Sequence, residues 1–163
     1  MMALGREASL DPPSRVRTVA AMLKTTGFPM ISPHAAIIYT LVMVSAADRD
    51  MKSVELSQIG RFVTQLPAFA DYDAGKIVET AQECAVMLQV ENGLDRTLSQ
   101  VAAALPVRLR ETAYLLACEV AAIDDRIPLE EMRMLQKIRQ ALDLDRLTSA
   151  ALERATQARL ATV

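Results

Sequence analysis

The stretch PHAAIIYTLVMVSAA, residues 33–47, decides the fold, because it is apolar on nearly every side of a helix. Ser32 before it is a preferred helix N-cap, and Pro33 suits the first helical position. A helix that is hydrophobic all round must be buried. The stretch is too short to cross a bilayer, which takes about 20 residues. It therefore predicts a helix at the centre of a soluble bundle.

Length and composition agree with one helical domain. The chain has 163 residues, of which 52% are hydrophobic and 23% charged, and it has only five glycines. No segment shows the alternation of a strand, and start and stop signals divide the chain into helices. We predict an all-α, single-domain bundle over residues 14–163, preceded by a flexible N-terminus over residues 1–13. The predicted helices are residues 14–26, 33–47, 53–66, 73–90, 95–105, 107–123, 128–142 and 145–160.

The second half of the chain matches the first half at an offset of 76 residues. The helix breaks coincide, and after a slip of four residues Asp71 and Asp73 meet Asp143 and Asp145. This pattern favours an internal repeat of a three-helix unit, with repeat units at about residues 32–92 and 106–163. The matched residues are Val44 with Val120, Ala46 with Ala122, Asp48 with Asp124, Glu55 with Glu131, and Leu66 with Leu142.

Charge and cysteine usage restrict the classes of partner and the compartment. The formal net charge is −2 and the arginines are scattered, so no basic surface for nucleic acid is expected. Cys84 and Cys118 lack CxxC spacing and fall inside predicted helices, so we expect buried free thiols in a reducing compartment. The N-terminus is too polar for a signal peptide. These features favour a cytoplasmic protein with no membrane span.

Two acidic turns follow the apolar helices of the two halves. Asp48 and Glu55 stand seven residues apart, and the second half repeats that spacing with Asp124 and Glu131. An aspartate at a helix C-terminus meets the negative end of the helix dipole, whereas a glutamate in the next helix's first turn is favoured. One interpretation is that these residues only form turns and cap helices. The other is that each pair holds a hard cation such as Ca²⁺, Mg²⁺ or Mn²⁺, which prefers carboxylate oxygens.

The residues around these acids argue against the standard form of each interpretation. A capping box needs Ser or Thr three residues before each glutamate, and the chain has Lys52 and Pro128 there. An EF-hand is excluded, because a loop beginning at Asp48 would place Ser53 and Ile59 where glycine and glutamate are required. Helix capping and a metal site of another kind both stay open.

Two segments carry a family resemblance. SPHAAIIYTLVMVSAADRDMKSVELSQIGRFVTQLPAF and LPVRLRETAYLLACEVAAIDDRIPLEEMRMLQKIRQALDLDRL resemble the TerB family of tellurite-resistance proteins, in its small bacterial single-domain form. The resemblance covers roughly Ser32 to Arg159. It implies an all-helical bundle, a cytoplasmic bacterial protein, and a link to tellurite and general chemical stress. It also implies metal binding through acidic residues, which would fall on Asp48, Glu55, Asp124 and Glu131.

We therefore predict a non-enzymatic stress-response protein that binds or senses a divalent metal ion. Catalysis by a Ser or Cys nucleophile would have to use the single histidine, His34, and no nucleophile elbow or phosphate loop is present. The alternative function is a protein-interaction adaptor without metal. Other stress-response proteins and a second copy of the chain, in a homodimer, are the partners that remain open. The pairs Arg15 with Arg17, and Arg108 with Arg110, indicate a solvated face or a weak patch for an anion or partner.

Overall fold

Seven α-helices and two short 3-10 segments make up the described part of the chain, and no strand occurs there. The structure is a computed structural model that describes residues 30–47, 53–123 and 127–162. The all-α prediction is confirmed, while the predicted helix over residues 14–26 and the predicted flexible N-terminus lie outside the described residues. The helices are α1 (Pro33–Ser45), α2 (Ser53–Gln65), α3 (Ile77–Leu88), α4 (Gly93–Ala104), α5 (Val107–Ala121), α6 (Leu129–Ala141) and α7 (Arg146–Arg159). The 3-10 segments are Pro67–Phe69 and Ala74–Lys76.

Helix α1 lies in the centre of the bundle, as its all-round apolar sequence predicts. Ser32 accepts a hydrogen bond from the backbone N–H of Ala35 at 3.1 Å and so caps the helix. Ten consecutive residues, Ala36–Ser45, are buried. The helix packs against α5, α3, α4 and α6, which together surround it.

Helix α5 is the second central element. It packs along α1 on one side and against α6 and α7 on the other. Its buried residues lie between Ala113 and Ala121 and include the large side chains Tyr114 and Leu116. The two apolar helices of the sequence therefore form the middle of the fold, and the amphipathic helices cover them.

The turn between α3 and α4 depends on backbone conformations that few residues adopt. Asn92 has a φ of 56°, in the left-handed region where asparagine is tolerated. Gly93 follows it, and a Cβ atom at that position would lie 2.2 Å from the carbonyl oxygen of Met87. Only glycine fits this close approach, so the sequence ENG fixes how α4 leaves α3.

Several features recur in the two halves where the sequence alignment, with its slip of four residues, pairs them. The first and last residues of α2, Ser53–Gln65, and of α6, Leu129–Ala141, both differ by 76. The aligned aspartates also cap helices in both halves: Asp73 accepts a hydrogen bond from the N–H of Gly75, and Asp145 accepts one from the N–H of Thr148. An internal repeat remains a prediction, to be tested by superposing the two halves.

Candidate functional site

The predicted metal ligands lie on the segments that lead from the central helices into α2 and α6. Glu55 and Glu131 belong to the described residues, whereas Asp48 and Asp124 lie outside them. Helices α2 and α6 each contact both α1 and α5, so both glutamates are carried by helices that rest on the central pair. The structure therefore describes half of the predicted site.

Glu55 and Glu131 occupy the same place in their helices. Each is the third residue of its helix, and each is only 3% exposed. The neighbouring Glu130, in the same first turn, is exposed. The helix dipole stabilises a carboxylate in the first turn, but it gives no reason to withdraw the carboxylate from water. Burial is thus the property that sets these two glutamates apart from an ordinary helix-start acid.

The start of α6 excludes a capping box for Glu131. In a capping box the glutamate accepts a hydrogen bond from the backbone N–H of the N-cap residue. The N-cap of α6 is Pro128, which has no N–H, and it makes no side-chain capping hydrogen bond. Helix capping of that kind therefore does not explain why Glu131 is buried at this position.

A cation site cannot be assembled from the described residues alone. Among them, no group of three or more His, Cys, Asp or Glu side chains could hold a metal ion. The predicted ligands Asp48 and Asp124 lie outside the described residues.

Two tyrosine–glutamate pairs, which the sequence did not predict, join the helices of each half. The hydroxyl of Tyr39 on α1 donates to Glu83 on α3 at 3.4 Å. The hydroxyl of Tyr114 on α5 donates to Glu153 on α7 at 2.6 Å. Burial, followed by the charge of Glu83, raises the pKa of Tyr39, and burial, followed by the hydrogen bond to Glu153, raises the pKa of Tyr114. Both phenols therefore stay protonated and act as hydrogen-bond donors at ordinary pH.

Each pair lies at a groove. The first groove has a volume of about 660 Å³ and lies between α1, α3 and the segment that joins α2 to α3. Its lining includes Ile31, Tyr39, Tyr72, Glu79, Glu83 and Met87. The second groove has a volume of about 510 Å³ and lies between α5, α6 and α7. Its lining includes Tyr114, Cys118, Leu135, Arg139, Arg146 and Glu153.

The single histidine takes part in a small aromatic cluster beside the first groove. His34 stacks at a tilt on Phe69 and Tyr72, with ring centroids 5.7 and 5.4 Å away. Its Nε2 atom lies 3.1 Å from a carboxylate oxygen of Asp71. These contacts fasten the 3-10 segment after α2 onto the start of α1, which is a structural role.

The two cysteines are free and buried, as predicted. Burial raises the pKa of the Cys84 thiol, and burial raises the pKa of Cys118 to about 12. A thiol reacts through its thiolate, so neither cysteine is suited to act as a nucleophile at neutral pH.

A comparison with known families decides which family this arrangement belongs to. The family model for the tellurite resistance protein TerB matches residues 34–154. The chain belongs to the TerB family. The matched region contains both acidic turns and most of the residues that line the two grooves, while residues 14–26 lie before it. No curated protein matches the chain, and no solved structure does.

The TerB family is not a known enzyme family, and membership suggests a function related to tellurite resistance. A search of the described residues for a helix both long and apolar enough to cross a membrane found none.

Proposed function

We propose that the protein is a non-enzymatic tellurite-resistance and stress-response protein that binds or senses a divalent metal ion through its paired acidic turns. The ligands would be Asp48, Glu55, Asp124 and Glu131. Each is a carboxylate, and hard cations such as Ca²⁺, Mg²⁺ and Mn²⁺ prefer oxygen ligands.

The burial of Glu131 is the observation that carries the proposal. The capping box, which is the ordinary reason for a glutamate at this position, is ruled out by Pro128. Glu55 has the same position and the same burial in α2. Carboxylates at matching buried positions of α2 and α6 are oxygen ligands of the kind that a hard cation prefers.

Each turn supplies too few oxygens for a cation by itself. One aspartate and one glutamate leave most positions of a six- to eight-oxygen shell to backbone carbonyls, water or the other turn. A single turn would therefore bind weakly, whereas carboxylates shared between the turns would bind more strongly. When empty, a shared site would also suffer repulsion among its carboxylates, which the ion would relieve.

Calorimetric titration of the chelator-stripped protein with Ca²⁺, Mg²⁺ and Mn²⁺ tests the proposal. We expect one of these ions to bind, and we expect Glu131→Gln to weaken its affinity at least about tenfold, which is about 1.4 kcal/mol. The matched control is Glu130→Gln, which removes the same charge from the same helical turn but changes an exposed side chain.

Two results would contradict the proposal. If the wild-type protein bound none of the three ions, the adaptor function without metal would be preferred. If Glu130→Gln weakened binding as much as Glu131→Gln, the effect would come from the general charge of the turn and not from ligation.

A further inference from the structure

The first groove combines an acidic rim with an apolar floor. Four exposed carboxylates belong to its lining, and one lysine, Lys76, accompanies them. The floor is formed by aliphatic and aromatic side chains, among them Ile31, Tyr72 and Met87. A groove of this kind fits a partner that presents apolar side chains flanked by positive charge. The four carboxylates are those of Asp71, Asp73, Glu79 and Glu83.

We propose that the first groove is the docking site of the chain's own basic N-terminal segment, residues 14–26. This segment, SRVRTVAAMLKTT, carries Arg15, Arg17 and Lys24 and contains no acidic residue. It lies outside the described residues and before the region that the TerB family model matches.

The apolar residues of the segment have the spacing of one helix face. Val16, Val19, Ala20 and Leu23 follow the pattern i, i+3, i+4, i+7. On a helix the three basic residues fall on the two flanks of that face: Arg15 on one flank, and Arg17 and Lys24 on the other. The sequence therefore predicts a basic amphipathic helix, whose apolar face suits the floor of the groove and whose flanks suit its acidic rim.

The connection along the chain places the segment within reach of this groove. Met30 and Ile31 belong to the groove lining, and Met30 is fully exposed. Only residues 27–29 separate the segment from Met30, and three residues span at most about 10 Å. Such a short tether keeps the segment at a high effective concentration beside the groove.

Charge distinguishes the first groove from the second. The second groove carries Arg139 and Arg146 together with the single carboxylate of Glu153 in its lining. Its cationic side chains would repel a segment with three positive charges and no negative one. The first groove offers four carboxylates to the same segment. Docking at the first groove is therefore favoured by charge as well as by proximity.

Paramagnetic relaxation in the full-length protein tests this docking. A nitroxide is attached through Thr18→Cys, a position that faces away from the apolar face of the predicted helix. Cys84 and Cys118 are buried with raised pKa values, so the label reacts selectively at the new cysteine. We expect selective broadening of amide signals around Glu79, while signals around Arg146, at the second groove, keep their intensity.

Two charge-reversal variants, one in the segment and a matched control on α6, test whether charge directs the docking. Arg15→Glu/Arg17→Glu should abolish the broadening around Glu79, because the segment then repels the acidic rim. Arg133→Glu/Lys137→Glu makes the same charge change on exposed residues of α6 outside both grooves and should leave the broadening intact. Circular dichroism of each variant confirms that the bundle is folded.

Several outcomes would overturn the proposal. They are absence of broadening, broadening spread evenly over the surface, broadening centred on the second groove, and broadening that survives Arg15→Glu/Arg17→Glu. A mixture of spin-labelled chains with isotope-labelled chains that carry no nitroxide separates docking within one chain from docking between copies. Broadening that appears equally in that mixture would show that the segment binds a second copy, which contradicts docking within the chain.

Discussion

The guanidinium of Arg159 links the last turn of α7 to α5. Replacement of Arg159 by methionine should destabilise the fold. Its Nε atom donates to Oε1 of Glu119 at 2.8 Å, and its Nη2 atom donates to Oε2 of the same carboxylate. Glu119 is 7% exposed, whereas the Arg159 side chain is 58% exposed. Methionine keeps an apolar stem on α7 but leaves the buried carboxylate without these two donors.

The size of the effect follows from the burial of Glu119. Removing one partner of a fully buried ion pair costs about 3–5 kcal/mol. A hydrogen bond to a charged group contributes about 1.5–3 kcal/mol. Water reaches more than half of the Arg159 side chain, which reduces the loss. We therefore expect Arg159→Met to lower the free energy of unfolding by about 2–3 kcal/mol, and Tm by about 4–12 °C for a chain of this size.

Urea denaturation and thermal melting of three variants measure this contribution. Arg154→Met is the matched control, since Arg154 is an exposed arginine of the same helix, and it should change the free energy of unfolding by less than about 0.5 kcal/mol. Glu119→Gln/Arg159→Met removes the buried charge as well and should recover part of the loss. If Arg159→Met were no more destabilising than Arg154→Met, the pair would be an ordinary surface contact and the reasoning from burial would be refuted.

Three further predictions concern the tyrosine pairs, a helix cap and the acidic turns. Tyr114→Phe should lower the free energy of unfolding by about 1–2 kcal/mol in urea denaturation, and Tyr39→Phe by less, because its hydrogen bond is longer, at 3.4 Å against 2.6 Å. Equal losses would contradict that ranking. Hydrogen bonds from Thr148 lower the pKa of Asp145 in the folded state. The stabilisation of the fold by this carboxylate is therefore complete above its pKa in the unfolded chain, about 3.9, and is lost as the pH falls through the lower pKa of the folded state. The stability difference between wild type and Asp145→Ala should therefore shrink on acidification, and a difference independent of pH would contradict this. If the acidic turns share one ion, Asp48→Asn and Asp124→Asn should each abolish most of the ion-induced rise in Tm, whereas losses that simply add would indicate independent sites.

The helices were predictable because their signals are local. Prolines and capping residues fixed the starts of α1 and α5, at Pro33 and Val107. Helix ends differ from the prediction by one or two residues, since the last turn of a helix frays. The largest difference follows Asp73, which was predicted to begin an α-helix. Its carboxylate instead accepts from the N–H of Gly75, two residues on, and a 3-10 turn precedes α3.

The contacts between helices were not predictable from periodicity. Tyr39 and Glu83 are 44 residues apart, and Tyr114 and Glu153 are 39 residues apart. Each tyrosine falls within an apolar run, and nothing local in the sequence marks its hydroxyl as a donor. The two grooves depend on the same packing, so their linings emerge only from the structure.

The candidate metal ligands were chosen from the sequence alone, and the burial of the two glutamates among them was not predictable from it. The repeated spacing selected Glu55 and Glu131 from among the many acids of the chain. Their burial depends on how α2 and α6 rest on the central helices, which spacing does not reveal. The exposed Glu130 shows the limit of the pattern, because it is an equally good helix-start acid in sequence terms.

The two grooves lie beside similar tyrosine–glutamate pairs, but the charged side chains that line them differ in sign. In each half a buried tyrosine of a central helix donates to a glutamate of an outer helix, which holds the two helices together beside a groove. The charged side chains around the first groove are four carboxylates and one lysine, whereas two arginines and one glutamate lie at the second. The charged side chains around each groove, and not the tyrosine–glutamate pair, therefore distinguish the two grooves. A partner selected by charge at one groove should therefore be rejected at the other, and exchanging the outer charges should exchange the preference.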